Sequence, residues 1–271
     1  MTDGAGEPHD VELYDLARTI GLEAAAFVRG RRPEGRVDVA STKSSDTDVV
    51  TEIDEACERL IRERIFAARP DDGFVGEEGD DVVGTSGVDW VVDPIDGTVN
   101  FVHGIPAYAV SIAARRDDVV VAGHVVNIAT GEEWGAVLGG GSWRHDGDER
   151  RMLTAPVGAP LARAVVATGF HYVPQIRARQ AAAMAEFLPQ VADIRRTGSA
   201  ALNLCALAEG QYDAYVEQGL HAWDQAAGGL VATEAGLVVT GLDGVPDERM
   251  VMAAHPAVAE EYFAVVRACG F

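Results

Sequence analysis

The chain has 271 residues, 48% of them hydrophobic and 24% charged, a composition suited to one large globular domain or two smaller ones sharing an interface. Forty-three acids against 22 lysines and arginines leave a formal net charge of −21, which repels nucleic acid and anionic membrane and excludes both as expected partners. Most of that charge reads as solubilising surface, yet a few acids in the right place suffice to bind a cation. Cys57, Cys205 and Cys269 are far apart, lack zinc-ligand spacing and read as free thiols of a reducing compartment. Residues 1–10 lack the basic and apolar pattern of a signal peptide, and the apolar stretch from Val119 is broken by His124 and Asn127, so a cytoplasmic protein is expected.

In chain order, apolar residues at helical spacing (Leu13, Leu16, Ile20, Leu22, Phe27) predict a helix over residues 11–29. A polar segment follows, and residues 41–46 read as a loop. Thr51 is the expected N-cap of a second helix, which presents Ile53, Cys57, Leu60, Ile61 and Ile65 on one face and ends near Pro70. The period then changes to that of strands: residues 73–76, 89–92, 108–115, 119–128 and 133–138, the last three forming an antiparallel sheet. Beyond Arg150, strands at 165–167, 192–195, 212–216 and 251–253 alternate with helices at 175–188, 200–209 and 223–235 and a last helix. Alternation of this kind implies an α/β layer. Two packed subdomains are expected, residues 1–150 and 151–271.

Chemistry concentrates in Asp93-Pro94-Ile95-Asp96-Gly97-Thr98, where an apolar strand meets two carboxylates three residues apart. Both acids can point into one cavity and share divalent cations, while backbone N–H groups at the Gly97-Thr98 step welcome an anion. Glu77 after one strand and Asp224 at a predicted helix start are further candidate ligands. A lone acid is more often a solvated surface residue, but Asp93 and Asp96 are bracketed by Val92, Ile95 and Val99, where charge needs a partner. Thr98 reads equally well as a helix cap and as a catalytic hydroxyl, and Asp54 as a first-turn acid favoured by the helix dipole. His103 and His221 read as hydrogen-bonded structural imidazoles. The seven histidines form no zinc motif.

These motifs resemble the signature of the inositol monophosphatase family. The resemblance rests on Gly76-Glu77-Glu78, on Asp93 to Thr98 running into Asn100-Phe101-Val102-His103, and on Trp223-Asp224-Gln225-Ala226-Ala227-Gly228-Gly229 followed by Thr233-Glu234-Ala235-Gly236. Lys43-Ser44-Ser45, Val50-Thr51-Glu52-Ile53-Asp54 and Gly198-Ser199-Ala200-Ala201 fall at similar places, so the likeness covers nearly the whole chain. It implies an α/β (α+β) sandwich of alternating helix and sheet layers (αβαβα), a Mg²⁺-dependent, lithium-sensitive phosphomonoesterase, and a homodimer. It further implies that Glu77, Asp93 and the Ile95 carbonyl hold one Mg²⁺, that Asp93, Asp96 and Asp224 hold a second, and that a third rests near Glu77. Thr98, with Glu77 nearby and Asp54 behind it, would orient the attacking water, and the N–H groups of Gly97 and Thr98 would receive phosphate oxygens. Lys43 would reach the site on a mobile loop.

The expected substrate is a small phosphate ester. Glu217, seven residues before Asp224, resembles the glutamate with which the family's inositol enzymes accept ring hydroxyls, helped by Asp96 and backbone near Ala200. That favours inositol monophosphate. Relatives acting on histidinol phosphate, fructose 1,6-bisphosphate or 3′-phosphoadenosine 5′-phosphate share the metal motif, and a non-catalytic metal- or phosphate-binding regulator is a further alternative. Two departures stand out: Leu237 after Gly236 replaces a usual second glycine, and Thr240 stands where an acid is common.

Overall fold

A computed structural model describes residues 7–42, 49–147 and 149–271. Seven helices are described: α1 (Pro8–Arg31), α2 (Glu52–Ala68), α3 (Thr98–His103), α4 (Pro174–Phe187), α5 (Ala200–Ala208), α6 (Ala222–Glu234) and α7 (Pro256–Ala268). The short strands β1 (Ser41–Thr42) and β2 (Val49–Val50) pair with each other. A seven-stranded sheet follows chain order from β3 (Gly73–Gly76) and β4 (Val88–Asp96) through β5 (Ala109–Arg116), β6 (Val119–Asn127), β7 (Glu133–Val137) and β8 (Gly141–Asp146) to β9 (Glu149–Met152). Only β3 and β4 are parallel in it. The second sheet has the order β11 (Asp193–Arg195), β10 (Val165–Thr168), β12 (Ala214–Glu217), β14 (Val251–Ala254), β13 (Val238–Thr240), with β11, β10 and β12 parallel.

Three apolar cores show how these elements stack. One packs Leu13, Tyr14 and Ile20 of α1 and Cys57, Ile61 and Ile65 of α2 against Trp90, Val92 and Ile112 of the seven-stranded sheet. A second joins that sheet's other face (Val91, Ala113, Val125) to α5 and α6, and these in turn to Ala167, Tyr215 and Val251 of the five-stranded sheet. The third covers the far side of that sheet (Val166, Val216, Met252) with Met184 and Phe187 of α4 and Tyr262 and Phe263 of α7. The result is the expected αβαβα sandwich. Among the described residues no helix is long and apolar enough to cross a membrane.

The sequence left several strands unread. β9 is exposed at all four positions and β13 at its first, so neither shows the alternation of a half-buried strand. β8 buries Trp143 and His145 but lies between glycines that read as turn. The most consequential difference concerns β4, which runs beyond the expected end at Val92 to Asp96. Its register against β5 slips between Asp93, opposite Ser111, and Asp96, opposite Ala109, so three steps on β4 face two on β5. This bulge absorbs Pro94, which has no N–H for a regular ladder. It also reverses the alternation: Val91 packs toward α5 and α6, whereas Ile95 packs toward α1 and α2.

Candidate active site

In a regular strand, residues three apart point to opposite faces. The bulge brings the Asp93 and Asp96 carboxylates to the same side, and Asp224 in the first turn of α6 completes the group. One oxygen from each of the three lies within 4.8 Å of the others. Glu77 follows β3, whose last residue, Gly76, pairs in parallel with Val92, so Glu77 stands beside Asp93. Burial and the charges of Glu77, Asp96 and Asp224 push the Asp93 carboxyl far above its ordinary range. Asp224 is raised in the same way by burial, Asp96 and Glu77. Asp96 is raised to about 6 by burial, offset by three donors from the start of α5. Those are Ser199 Oγ at 2.6 Å and the N–H groups of Ala201 at 2.8 Å and Ala200 at 3.3 Å.

Among the described residues no lysine or arginine is ion-paired with these three acids. An all-oxygen donor set with no cationic partner among the described residues suits a hard divalent cation such as Mg²⁺. The side chains of His103 and His221 take other partners, although the His221 backbone N–H donates to Asp224 Oδ2 at 2.6 Å. His103 meets Arg36 at 3.3 Å, and His221 stacks on Trp223 and meets Glu248 at 3.0 Å, the structural roles expected for both.

Gly97, at φ +94°, is the N-cap of α3, and a Cβ there would press on the carbonyls of Ala107 and Gly198. Thr98 is therefore the first helical residue, not the cap, which leaves its hydroxyl free of capping duty. That hydroxyl lies 3.0 Å from the Ile95 carbonyl and 3.2 Å from Asp54 Oδ1. Asp54 is fully buried in the first turn of α2, where it forms a capping box with Thr51. Burial raises it to about 6, against the hydrogen bond from the Thr51 side chain. Asp54 faces two ways: its backbone N–H and Oδ2 belong to the capping box with Thr51, while its Oδ1 accepts from the Thr98 hydroxyl.

In the five-stranded sheet, Glu217 ends β12, half-buried. Burial lifts its carboxyl to about 7 despite the Tyr215 hydroxyl, which donates to it at 2.7 Å. Gly169 makes room for this carboxylate, since a Cβ there would overlap it. The Ala200 N–H, in the stretch of backbone expected to face the substrate, donates to Asp96. Lys43 lies outside the described residues.

Sequence reading missed three supporting groups. Ser199 orients Asp96; Asn100 Nδ2 donates at 2.7 Å to the carbonyls of both Ala107 and Thr197; and Glu58 accepts the Glu78 N–H at 2.8 Å. For Glu58, the flanking glycines Gly76 and Gly79 were the available signal.

The profile of the inositol monophosphatase family matches residues 9–269. The inositol-1-monophosphatase SuhB of Mycobacterium tuberculosis is 44% identical over 286 residues, covering 98% of this chain and 97% of that protein. The Nus factor SuhB of Pasteurella multocida is 37% identical over 241 residues, 87% of this chain and 89% of that one. Among solved structures, Mycobacterium tuberculosis SuhB superposes with a TM-score of 0.84 at 42% identity, over 97% of this chain and 99% of the other.

Proposed function

The chain belongs to the inositol monophosphatase family, and from that premise we propose that it is a Mg²⁺-dependent phosphomonoesterase that converts myo-inositol monophosphate to inositol and phosphate. The observation that carries the reading is the clustering of Asp93, Asp96 and Asp224 beside the Thr98–Asp54 pair. When bound by Glu77, Asp93, the Ile95 carbonyl, Asp96 and Asp224, two or three Mg²⁺ ions supply Lewis-acid polarisation and charge neutralisation.

The chain's own groups do the positioning. The backbone N–H groups of Gly97 and Thr98 receive phosphate oxygens. The Thr98 hydroxyl has one proton to give. Donated to Asp54, it leaves the oxygen's lone pairs to orient a water, with Glu77 beside it. That water attacks phosphorus in line as the ester P–O bond opposite breaks, its proton passing toward these acids, while the departing alkoxide takes a proton from a solvent water and leaves as the alcohol. No phosphorylated residue is needed. Glu217 accepts hydroxyls of the alcohol, and its charge disfavours alcohols that carry further phosphates. By likeness to the family, the enzyme would act in the cytoplasm as a lithium-sensitive homodimer.

Phosphate release from inositol 1-phosphate with Mg²⁺, with Asp93→Asn as control, tests the reading. Failure of the wild-type protein to turn over any phosphomonoester sinks it. A kcat/KM panel with histidinol phosphate, fructose 1,6-bisphosphate and 3′-phosphoadenosine 5′-phosphate decides the alcohol. The Pasteurella multocida relative's name as a Nus factor favours a second reading, a regulator that binds metal or phosphate without hydrolysis. Calorimetry showing metal binding in a protein without turnover supports that alternative.

A further inference from the structure

Four residues, Gly76-Glu77-Glu78-Gly79, carry the chain from β3 past the metal-binding acids, and helix α2 grips three of them. Glu58, one turn beyond Asp54, is only 3% exposed. Its Oε2 accepts the Glu78 N–H at 2.8 Å, and its Oε1 lies 3.5 Å from Nη2 of Arg62. The same Nη2 donates to the Asp80 carbonyl at 2.8 Å, and the guanidinium lies 4.5 Å from the centre of the Phe74 ring. A Cβ on Gly76 would collide with the Glu58 carboxylate, and one on Gly79 would stand 2.9 Å from both Glu58 and Arg62. The glycines flanking Glu77 and Glu78 thus mark the volume that one buried carboxylate occupies. Burying that charge is costly unless its partners are well placed, and here they are a backbone N–H and a guanidinium of the turn's own bracket.

We propose that Glu58, seconded by Arg62, is a positioning residue that fixes this turn so that the Glu77 carboxylate stands at Asp93. The proposal rests on the metal-site reading above and extends it. Asp54 and Glu58 are four residues apart on one helix, a rise of about 6 Å. One rigid element therefore spaces the water-orienting pair from Glu77.

The test uses the full-length protein, stripped with chelator and titrated with Mn²⁺ by electron paramagnetic resonance, alongside Mg²⁺-dependent phosphate release. Glu58→Ala is expected to weaken Mn²⁺ binding by about 10- to 100-fold, the usual cost of losing a partner that orients a metal ligand. Glu58→Gln keeps an oxygen for the Glu78 N–H and stays within about threefold of the parent for Mn²⁺. Arg62→Met keeps the stem on Phe74 and weakens Mn²⁺ binding by about threefold or more, which gives a readout should Glu58→Ala not fold. Ile65→Val, a core change on the same helix, lowers stability and leaves Mn²⁺ affinity unchanged. Parental Mn²⁺ affinity in folded Glu58→Ala or Arg62→Met overturns the proposal. So does a Glu58→Gln protein as weak as Glu58→Ala. Loss of Mn²⁺ affinity in Glu58→Ala, in a protein that hydrolyses no ester, upholds the proposal and defeats the enzyme reading alone.

Discussion

Asp72 and Asp93 lie near opposite ends of β4 and are equally hidden, at 2% and 1% exposure, yet they do opposite work. Asp72 is surrounded by donors: the Trp90 indole N–H at 2.9 Å, the Ser86 hydroxyl at 2.6 Å and the Arg69 guanidinium. Burial pushes its carboxyl up, but Arg69, Ser86 and Trp90 outweigh burial and hold it below its ordinary value. Asp93 has the Ile95 N–H at 3.0 Å and otherwise faces acids, so burial and its neighbours push it the other way. Burial alone therefore does not mark a functional acid. A buried carboxylate among donors is architecture, while one among carboxylates is half of an interaction whose other half must come from outside.

The contrast is tested most strongly by the matched pair Asp93→Asn and Asp72→Asn. Asp93→Asn is expected to cut kcat/KM for inositol 1-phosphate by about 10³-fold or more, and to raise the melting temperature of the metal-free protein by relieving repulsion. Asp72→Asn should keep kcat/KM within about threefold and lose about 2 kcal/mol of stability in urea. If folded Asp72→Asn is as inactive as Asp93→Asn, the distinction fails. Next in size, Thr98→Val should lower kcat by about 10²- to 10³-fold while Mn²⁺ affinity stays put, separating the water-orienting hydroxyl from the metal acids. Glu217→Ala should follow, with kcat/KM down about 10- to 100-fold on inositol 1-phosphate and little changed on p-nitrophenyl phosphate. An equal loss on both esters removes Glu217 from the alcohol side.

The smallest effect is a pH dependence. Asp54 and Asp96 titrate near 6 in the metal-free fold against an ordinary value of 3.8. A raised acid stabilises the fold below its unfolded pKa, and that contribution is lost as pH rises through the folded value, here between about 4 and 6. Buried His124 and His145 are lowered by burial and slope oppositely, but they stand away from the acids and cancel in a comparison of the same protein with and without metal. The gap between the urea midpoints of Mg²⁺-loaded and chelated protein should therefore widen from pH 5 to 7. A gap that narrows across that range contradicts the assignment of Asp96 to the metal.

The acids themselves were legible because an anionic oxygen donor has to be an aspartate or a glutamate, and Asp93 and Asp96 stand out as carboxylates among apolar neighbours. Helix α2 was legible through its apolar stripe and its Thr51 cap. The bulge was not, since period-two reasoning stops at Pro94 and cannot tell a strand that ends from one that slips a residue. Ser199, Glu58 and Asp72 were missed for a common reason. Each acts on a residue 14 or more positions away, and only the folded chain brings the partners together.

Asp96 belongs to the seven-stranded sheet, but the groups that orient it, Ser199, Ala200 and Ala201, open helix α5 from the other end of the sequence. Asp224, from α6, closes the same cluster. A nascent chain that has completed its first sheet can present Glu77 and Asp93, yet it lacks the rest of the cation's cage until the middle helical layer has docked. On the proposed Mg²⁺ reading, cation capture would then act as a proofreading step of assembly, because a complete cage exists only in chains whose two halves have met.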